Sequence, residues 1–280
     1  MESLVSTDWL ASELGTANLV VIDASNHLPA AGRDAHSEYL AAHIPTARFL
    51  DLASLVDKNS PVPAALPRPE QLAQRLAELG VRPGDRIVLY DDSAVKTSAR
   101  AWFLLRAHGI DSVAILDGGL ARWKAEGRKV ETGALEVEPS EPASLPAPER
   151  VRFKSDMLAN MDDMREQVLD ARDPGRFMGK VEDTVHNLPS GHIPGSCNLP
   201  FGNLFTEDGT FKTREDLRAH FEAVGIDLNS PIVTTCGSGV TASVLLFALH
   251  LIGHDAWALY DGSWLDWGSD PDTPKATVSL

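Results

Sequence analysis

The feature that most constrains this chain is that it repeats itself. Leu-Val-Val-Ile-Asp, ending at Asp23, is matched by Gln-Val-Leu-Asp, ending at Asp170, and His43-Ile44-Pro45 by His192-Ile193-Pro194. Ile87-Val88 returns as Ile232-Val233, and the segment from Asp117-Gly118-Gly119 to Trp123 returns as Asp261-Gly262-Ser263 to Trp267. The matches keep their order, and the members of each pair stand about half of the 280-residue chain apart. Two copies of one domain are expected, each long enough to bury its own core. Between them Pro139, Pro142, Pro146 and Pro148 fall among acidic and small residues with no helical or strand period, which predicts an extended linker. The expected division is a first domain at 1–130, a linker at 131–150 and a second domain at 151–280.

Within each copy, short aliphatic runs alternate with helical patterns. Ile232–Thr235 predicts a buried strand, 241–253 a helix and 256–260 another strand; 86–90, 98–108 and 112–116 repeat the order in the first copy. Gly109 and Gly253 stand where a helix-terminating glycine belongs. Such alternation implies an α/β fold, a mostly parallel sheet in each copy with helices on both faces. Ligands in these folds gather at the carboxyl ends of the strands.

Charge and cysteine content narrow the function. With 25 basic against 40 acidic residues the net charge is −15, so nucleic acid and anionic membrane are not expected as partners. The first residues carry Glu2, Asp8 and Glu13 with no apolar run, and the longest apolar stretch, 244–252, contains His250, so a soluble cytoplasmic protein is expected. Two cysteines cannot form a disulfide framework, and each thiol needs its own account.

Cys236 follows the strand Ile232–Thr235 and opens the turn Cys236-Gly237-Ser238-Gly239-Val240-Thr241, which leads into a helix. A thiol placed there meets converging backbone N–H groups and the positive end of a helix dipole, both of which favour thiolate. Cysteines at helix N-termini ionise in roughly the 3.5 to 7.5 range and are nucleophilic near neutral pH. The aligned position in the first copy is Asp91, so one copy carries a nucleophile and the other does not. Cys197, ahead of Leu199-Pro200-Phe201 and without a glycine cradle, reads as structural, although a disulfide between the two cysteines stays open. Position 242 is Ala, where a phosphate-loop phosphatase needs Arg. No metal-ligand spacing surrounds Cys236. His43 and His192, repeated in the copy without a nucleophile, read as structural.

The paired His-Ile-Pro segments, the Asp-Gly-Gly and Asp-Gly-Ser-Trp segments and the Cys236–Ala242 loop together resemble a tandem rhodanese-domain sulfurtransferase over essentially the whole chain. The loop is similar to that of 3-mercaptopyruvate sulfurtransferases, because thiosulfate-preferring members carry basic side chains where this chain has Gly237 and Ser238. The resemblance implies no cofactor. It implies sulfur transfer from a small anionic donor, through a Cys236 persulfide, to a thiol acceptor such as thioredoxin or glutathione, or to cyanide. Thiosulfate:cyanide sulfurtransferase and a persulfide carrier or sensor are the alternatives. By the same resemblance Arg176 anchors the donor carboxylate, with Arg172 an ion-pair partner. Gly237, Gly239, Val240 and Thr241 line the substrate cradle, and Ser238 stabilises charge there. Asp51 either joins a proton relay with Ser238 or caps a turn. Two departures stand out: Ala64 where the family usually has His, and Val185, next to His186, where it has a second Arg. Lys180 is a candidate for the missing charge.

Overall fold

Runs such as Leu19–Asp23 and Ile232–Thr235 have no polar face to offer water, and they become strands buried on both sides. The computed structural model describes residues 1–277. Two units emerge: Met1–Asp57, Leu66–Glu149 and Glu207–Thr210 form one, and Lys58–Ala65, Arg150–Thr206 and the chain from Phe211 onward form the other.

The first unit runs β1 (Leu4–Val5), α1 (Thr7–Glu13), β2 (Leu19–Asp23), α2 (Ala35–Ala41), β3 (Arg48–Phe49), α3 (Pro69–Glu78), β4 (Arg86–Tyr90), α4 (Ser98–Ala107), β5 (Val113–Leu116) and α5 (Gly119–Ala125). The second repeats it: β6 (Val151–Arg152), α6 (Lys154–Asp163), β7 (Gln167–Asp170), α7 (Pro174–Phe177), β8 (Cys197–Asn198), α8 (Arg214–Ala223), β9 (Ile232–Thr235), α9 (Val240–Leu251), β10 (Trp257–Tyr260) and α10 (Ser263–Trp267). The sheets have the same order, β1-β5-β4-β2-β3 and β6-β10-β9-β7-β8, and every strand pairing within them is parallel. The expected mostly parallel α/β sheets are therefore fully parallel. Register fixes the equivalence of the copies: Asp23 pairs with Tyr90 as Asp170 pairs with Thr235, so Asp91 and Cys236 occupy the same position.

Local chemistry explains the ends of these elements. Thr213 and Asp173 cap α8 and α7 through their side chains, and Pro69 opens α3, where its missing N–H costs nothing. Gly109 and Gly253 follow α4 and α9 at φ +77° and +81°, a region open to glycine at little cost. Ala242 to Leu249 of α9 are all buried, which accounts for its apolar sequence without a polar stripe. In the second unit Met157, Val168, Ile193, Val233, Tyr260, Trp264 and Trp267 form one apolar cluster. The proline-rich segment has no regular structure over 134–149, yet it is pinned to the first unit. The Ser140 N–H donates to the Ala77 carbonyl (2.9 Å) and the Glu149 N–H to that of Ala107 (2.9 Å). Among the described residues no helix is long and apolar enough to cross a membrane.

Candidate active site

β9 ends at Thr235, and the next residue, Cys236, is bracketed by the start of α10. Its N–H donates to Ser263 Oγ (3.2 Å), and its carbonyl accepts the Trp264 N–H (2.9 Å). The Gly237 carbonyl accepts the Leu265 N–H (2.9 Å). Gly239, at φ +78°, turns the chain into α9, and Ser243 Oγ donates to its carbonyl (2.8 Å). The first N–H groups of α9 have no intrahelical acceptors, as at every helix start, and they carry the positive end of a twelve-residue dipole. Cys236, Gly237 and Gly239 are buried, while Ser238, Val240 and Thr241 are half-buried. The loop therefore holds a thiol in a compact turn suited to negative charge.

In the first unit a carboxylate occupies the same position. Asp91 Oδ1 accepts the Ser93 N–H (2.9 Å) and Oδ2 the Ser98 N–H (2.8 Å), so the copy fills its own helix N-terminus with a carboxylate. The Leu120 N–H donates to the Asp91 carbonyl (3.2 Å), matching the Trp264 bond to Cys236.

Arg172 and Arg176 take different places. Arg172 is buried in an ion pair with Asp170 (2.7 Å), donates to the Gly191 carbonyl (2.7 Å) and lies 4.4 Å over the Trp264 ring. Arg176, on the single turn of α7, contacts Asp173 through Nε and Asp183 through Nη1 (3.4 Å). Its Nη2 has no partner among the described residues. Burial works against the Arg176 charge, but the two carboxylates override it and hold the guanidinium protonated. Lys180 and Val185 are exposed. Ala64 stands at φ +54°. Asp51 belongs to the first unit, where its carboxylate accepts the Ser54 N–H (3.2 Å) and closes a turn.

Both cysteines are free thiols, so the disulfide left open by the sequence is absent. Cys197 sits half-buried on the edge strand β8, where burial pushes its thiol up. His43 and His192 each donate Nδ1–H to a carbonyl, of Tyr39 and Phe177 respectively (2.8 Å both), a matching role in both copies.

Three residues to which the sequence assigned no role complete the site. Asp183 is buried and accepts N–H bonds from Val185 (3.2 Å) and His186 (3.1 Å). His186 Nδ1 faces both Asp183 oxygens at 3.3 Å. A Cβ added to Gly237 would lie 2.0 Å from His186 Cε1 and 2.5 Å from Nε2, so the imidazole rests directly on the backbone of the loop. Burial lowers the His186 pKa below the usual histidine value, against the pull of Asp183 and with the help of Arg176 and Arg172. The Asp183 carboxyl is held below its usual range although burial opposes this, because His186 and Arg176 face it. The third residue is Ser263, fully buried at φ +49°, whose hydroxyl accepts from Cys236 and donates to the Tyr260 carbonyl (2.9 Å).

A repeated parallel sheet with a cysteine at a strand-to-helix turn in one copy defines a class, and the chain belongs to it: the rhodanese-like domain family matches residues 6–126 and 154–270. It is an enzyme of the sulfurtransferase class. It is 39% identical over 275 residues to the 3-mercaptopyruvate sulfurtransferase of Escherichia coli strain K12, covering 98% of each chain. To bovine thiosulfate sulfurtransferase it is 37% identical over 272 residues, 95% of this chain and 91% of the relative. The crystal structure of the 3-mercaptopyruvate sulfotransferase SseA from Escherichia coli superposes with a TM-score of 0.85 at 38% identity, covering 94% of this chain and 99% of that one.

Proposed function

We propose that this enzyme moves sulfane sulfur from 3-mercaptopyruvate to a thiol or cyanide acceptor through a persulfide on Cys236, releasing pyruvate. The observation that carries this is the loop itself. A nucleophile opens a helix N-terminus lined by Gly237, Ser238 and Gly239, with no basic side chain in the loop to meet a dianion. The Cys236 thiolate attacks the donor sulfur, an S–S bond forms as the C–S bond breaks, and the electron pair leaves on carbon as the enolate of pyruvate. The N–H groups of Gly237, Gly239, Val240 and Thr241, with Ser238, stabilise the charge that develops. The free Nη2 of Arg176 is the contact for the donor carboxylate, and its two acidic neighbours orient it. An acceptor thiolate or cyanide then takes the outer sulfur and returns Cys236. A reducing cytoplasm, with thioredoxin or glutathione as acceptor, fits two free thiols. In this reading the domain read from the sequence at 151–280 is the catalytic one and that at 1–130 carries Asp91 in place of the nucleophile, while the compact units exchange 58–65 and 207–210 across that division.

Likeness to the bovine thiosulfate enzyme supports a second reading, thiosulfate as donor. Steady-state kinetics with both donors decides. The proposal expects higher kcat/KM with 3-mercaptopyruvate, and a preference for thiosulfate refutes it. A Cys236 persulfide that forms from polysulfide while neither donor turns over would make the chain a carrier.

A further inference from the structure

The transfer step has a proton to move. Over the step as a whole the Cys236 thiol gives up a proton and the pyruvate carbon gains one when the C–S bond has broken. Asp183 and His186 stand beside the loop that carries Cys236, with the His186 ring against Gly237. The two residues lie in one tight turn, closed by the Asn187 N–H on the Asp183 carbonyl (2.8 Å) and by the bridge between Asp183 and Leu188. The turn is fastened to the same elements as the nucleophile. The Trp264 indole donates to the Pro189 carbonyl (2.9 Å), and its backbone N–H holds the Cys236 carbonyl. The Gly191 N–H donates to the Arg176 carbonyl (2.9 Å).

The ring has two different nitrogens. A carboxylate can only accept, so Nδ1 carries its proton toward Asp183, and Nε2 is left as the basic nitrogen. Nε2 has no hydrogen-bond partner among the described residues, and the Cε1–Nε2 edge is the one turned to Gly237, the residue bonded to Cys236. The charged groups around the ring are Asp183 from its own turn, Arg176 from α7 and Arg172 from the turn after β7; the loop after β9 brings Gly237 and Cys236. Two guanidiniums against one carboxylate, with partial burial, favour the neutral imidazole, which is the form that accepts a proton.

We propose that His186, oriented by Asp183, is the proton carrier of the sulfur-transfer step. Nε2 takes the proton of the Cys236 thiol as the thiolate attacks the donor sulfur. The imidazolium then returns that proton to the methylene carbon of the departing enolate. The donor's own S–H stays on the outer sulfur of the persulfide, carbon is reduced as the two sulfurs are oxidised to the persulfide, and no further reagent is needed. The removal of sulfur by cyanide involves no proton to carbon and does not use His186.

This inference rests on the 3-mercaptopyruvate reading, and the wild-type enzyme is assayed first. If it does not turn over 3-mercaptopyruvate, that reading fails. If it does, His186→Gln is compared in two half-reactions. Persulfide formation from 3-mercaptopyruvate, followed by intact mass in a single turnover, is expected to slow by about 10²–10⁴-fold. Thiocyanate release from enzyme preloaded with polysulfide is expected to stay within about twofold of wild type. Added imidazole is expected to restore persulfide formation in His186→Gly, which a packing role would not allow. The proposal is overturned if persulfide formation slows less than about tenfold, if both half-reactions slow equally, if the variant cannot be preloaded, or if imidazole restores nothing. It is equally overturned if the defect lies in KM for 3-mercaptopyruvate with kcat intact, since His186 would then be a contact for the donor carboxylate.

Discussion

Gly237→Ala tests the contact on which the site geometry turns. No positive φ requires glycine at 237; space does, because the added methyl would sit 2.0 Å from His186 Cε1, well over 1 Å inside contact distance. The backbone there is held by the Leu265 N–H, and the imidazole is a side chain with some exposure, so the ring gives way. It then loses its place against Asp183, a hydrogen bond to a charged group worth about 1.5–3 kcal/mol where water does not replace it. Solvent at the displaced ring recovers part of this, and a net destabilisation of about 1–3 kcal/mol is expected. In a His186→Ala background the methyl enters vacated space, and Gly237→Ala should cost less than about 0.5 kcal/mol. The double-mutant cycle, measured by urea unfolding of the transition that includes α9, should therefore return a coupling of about 0.5–3 kcal/mol. Equal costs in the two backgrounds would refute the contact, and with it the claim that His186 rests on the nucleophile loop.

Ser263→Ala leaves the buried Cys236 N–H without its acceptor and should cost about 1–3 kcal/mol in urea unfolding, while Ser263→Gly, which relieves the φ +49° backbone, should cost less. Asp183→Asn removes the carboxylate that opposes the depression of the His186 pKa, so the acid limb of the kcat/KM profile should move to lower pH. Burial lowers the His186 pKa from its ordinary 6.5, so this group contributes stability above that pH: as pH falls below 6.5 the unfolded chain takes up the proton first and the contribution is lost. The decline between pH 6.5 and the folded pKa should diminish in His186→Gln, measured by urea titration at stepped pH.

Much of this architecture was legible because the duplication was. Aligned motifs located two domains, aliphatic runs located β4, β5, β9 and β10 to within a residue, and the glycine-rich turn singled out Cys236. The repeat also holds a signal at the start of α10. Gly119 stands at φ +57° and its counterpart Ser263 at φ +49°, so a serine in place of a glycine at a left-handed position marked a hydroxyl worth its strain. The Asp183–His186 pair was hidden for a different reason. Val185 stood where the family resemblance led one to look for an arginine, and a dyad three residues apart has meaning only once the turn at 183–188 lays its ring on Gly237. Arg176 is legible as a substrate contact from the resemblance, but no spacing marks Asp183, seven residues on, as sharing it.

Passage of sulfur through Cys236 is read out by intact mass and peptide mapping after a brief pulse of 3-mercaptopyruvate without acceptor. One added sulfur atom is expected on the Cys236 peptide, removed by cyanide and absent in Cys236→Ser. Sulfur found on Cys197, or a Cys236→Ser variant that still transfers it at the wild-type rate, would contradict the account.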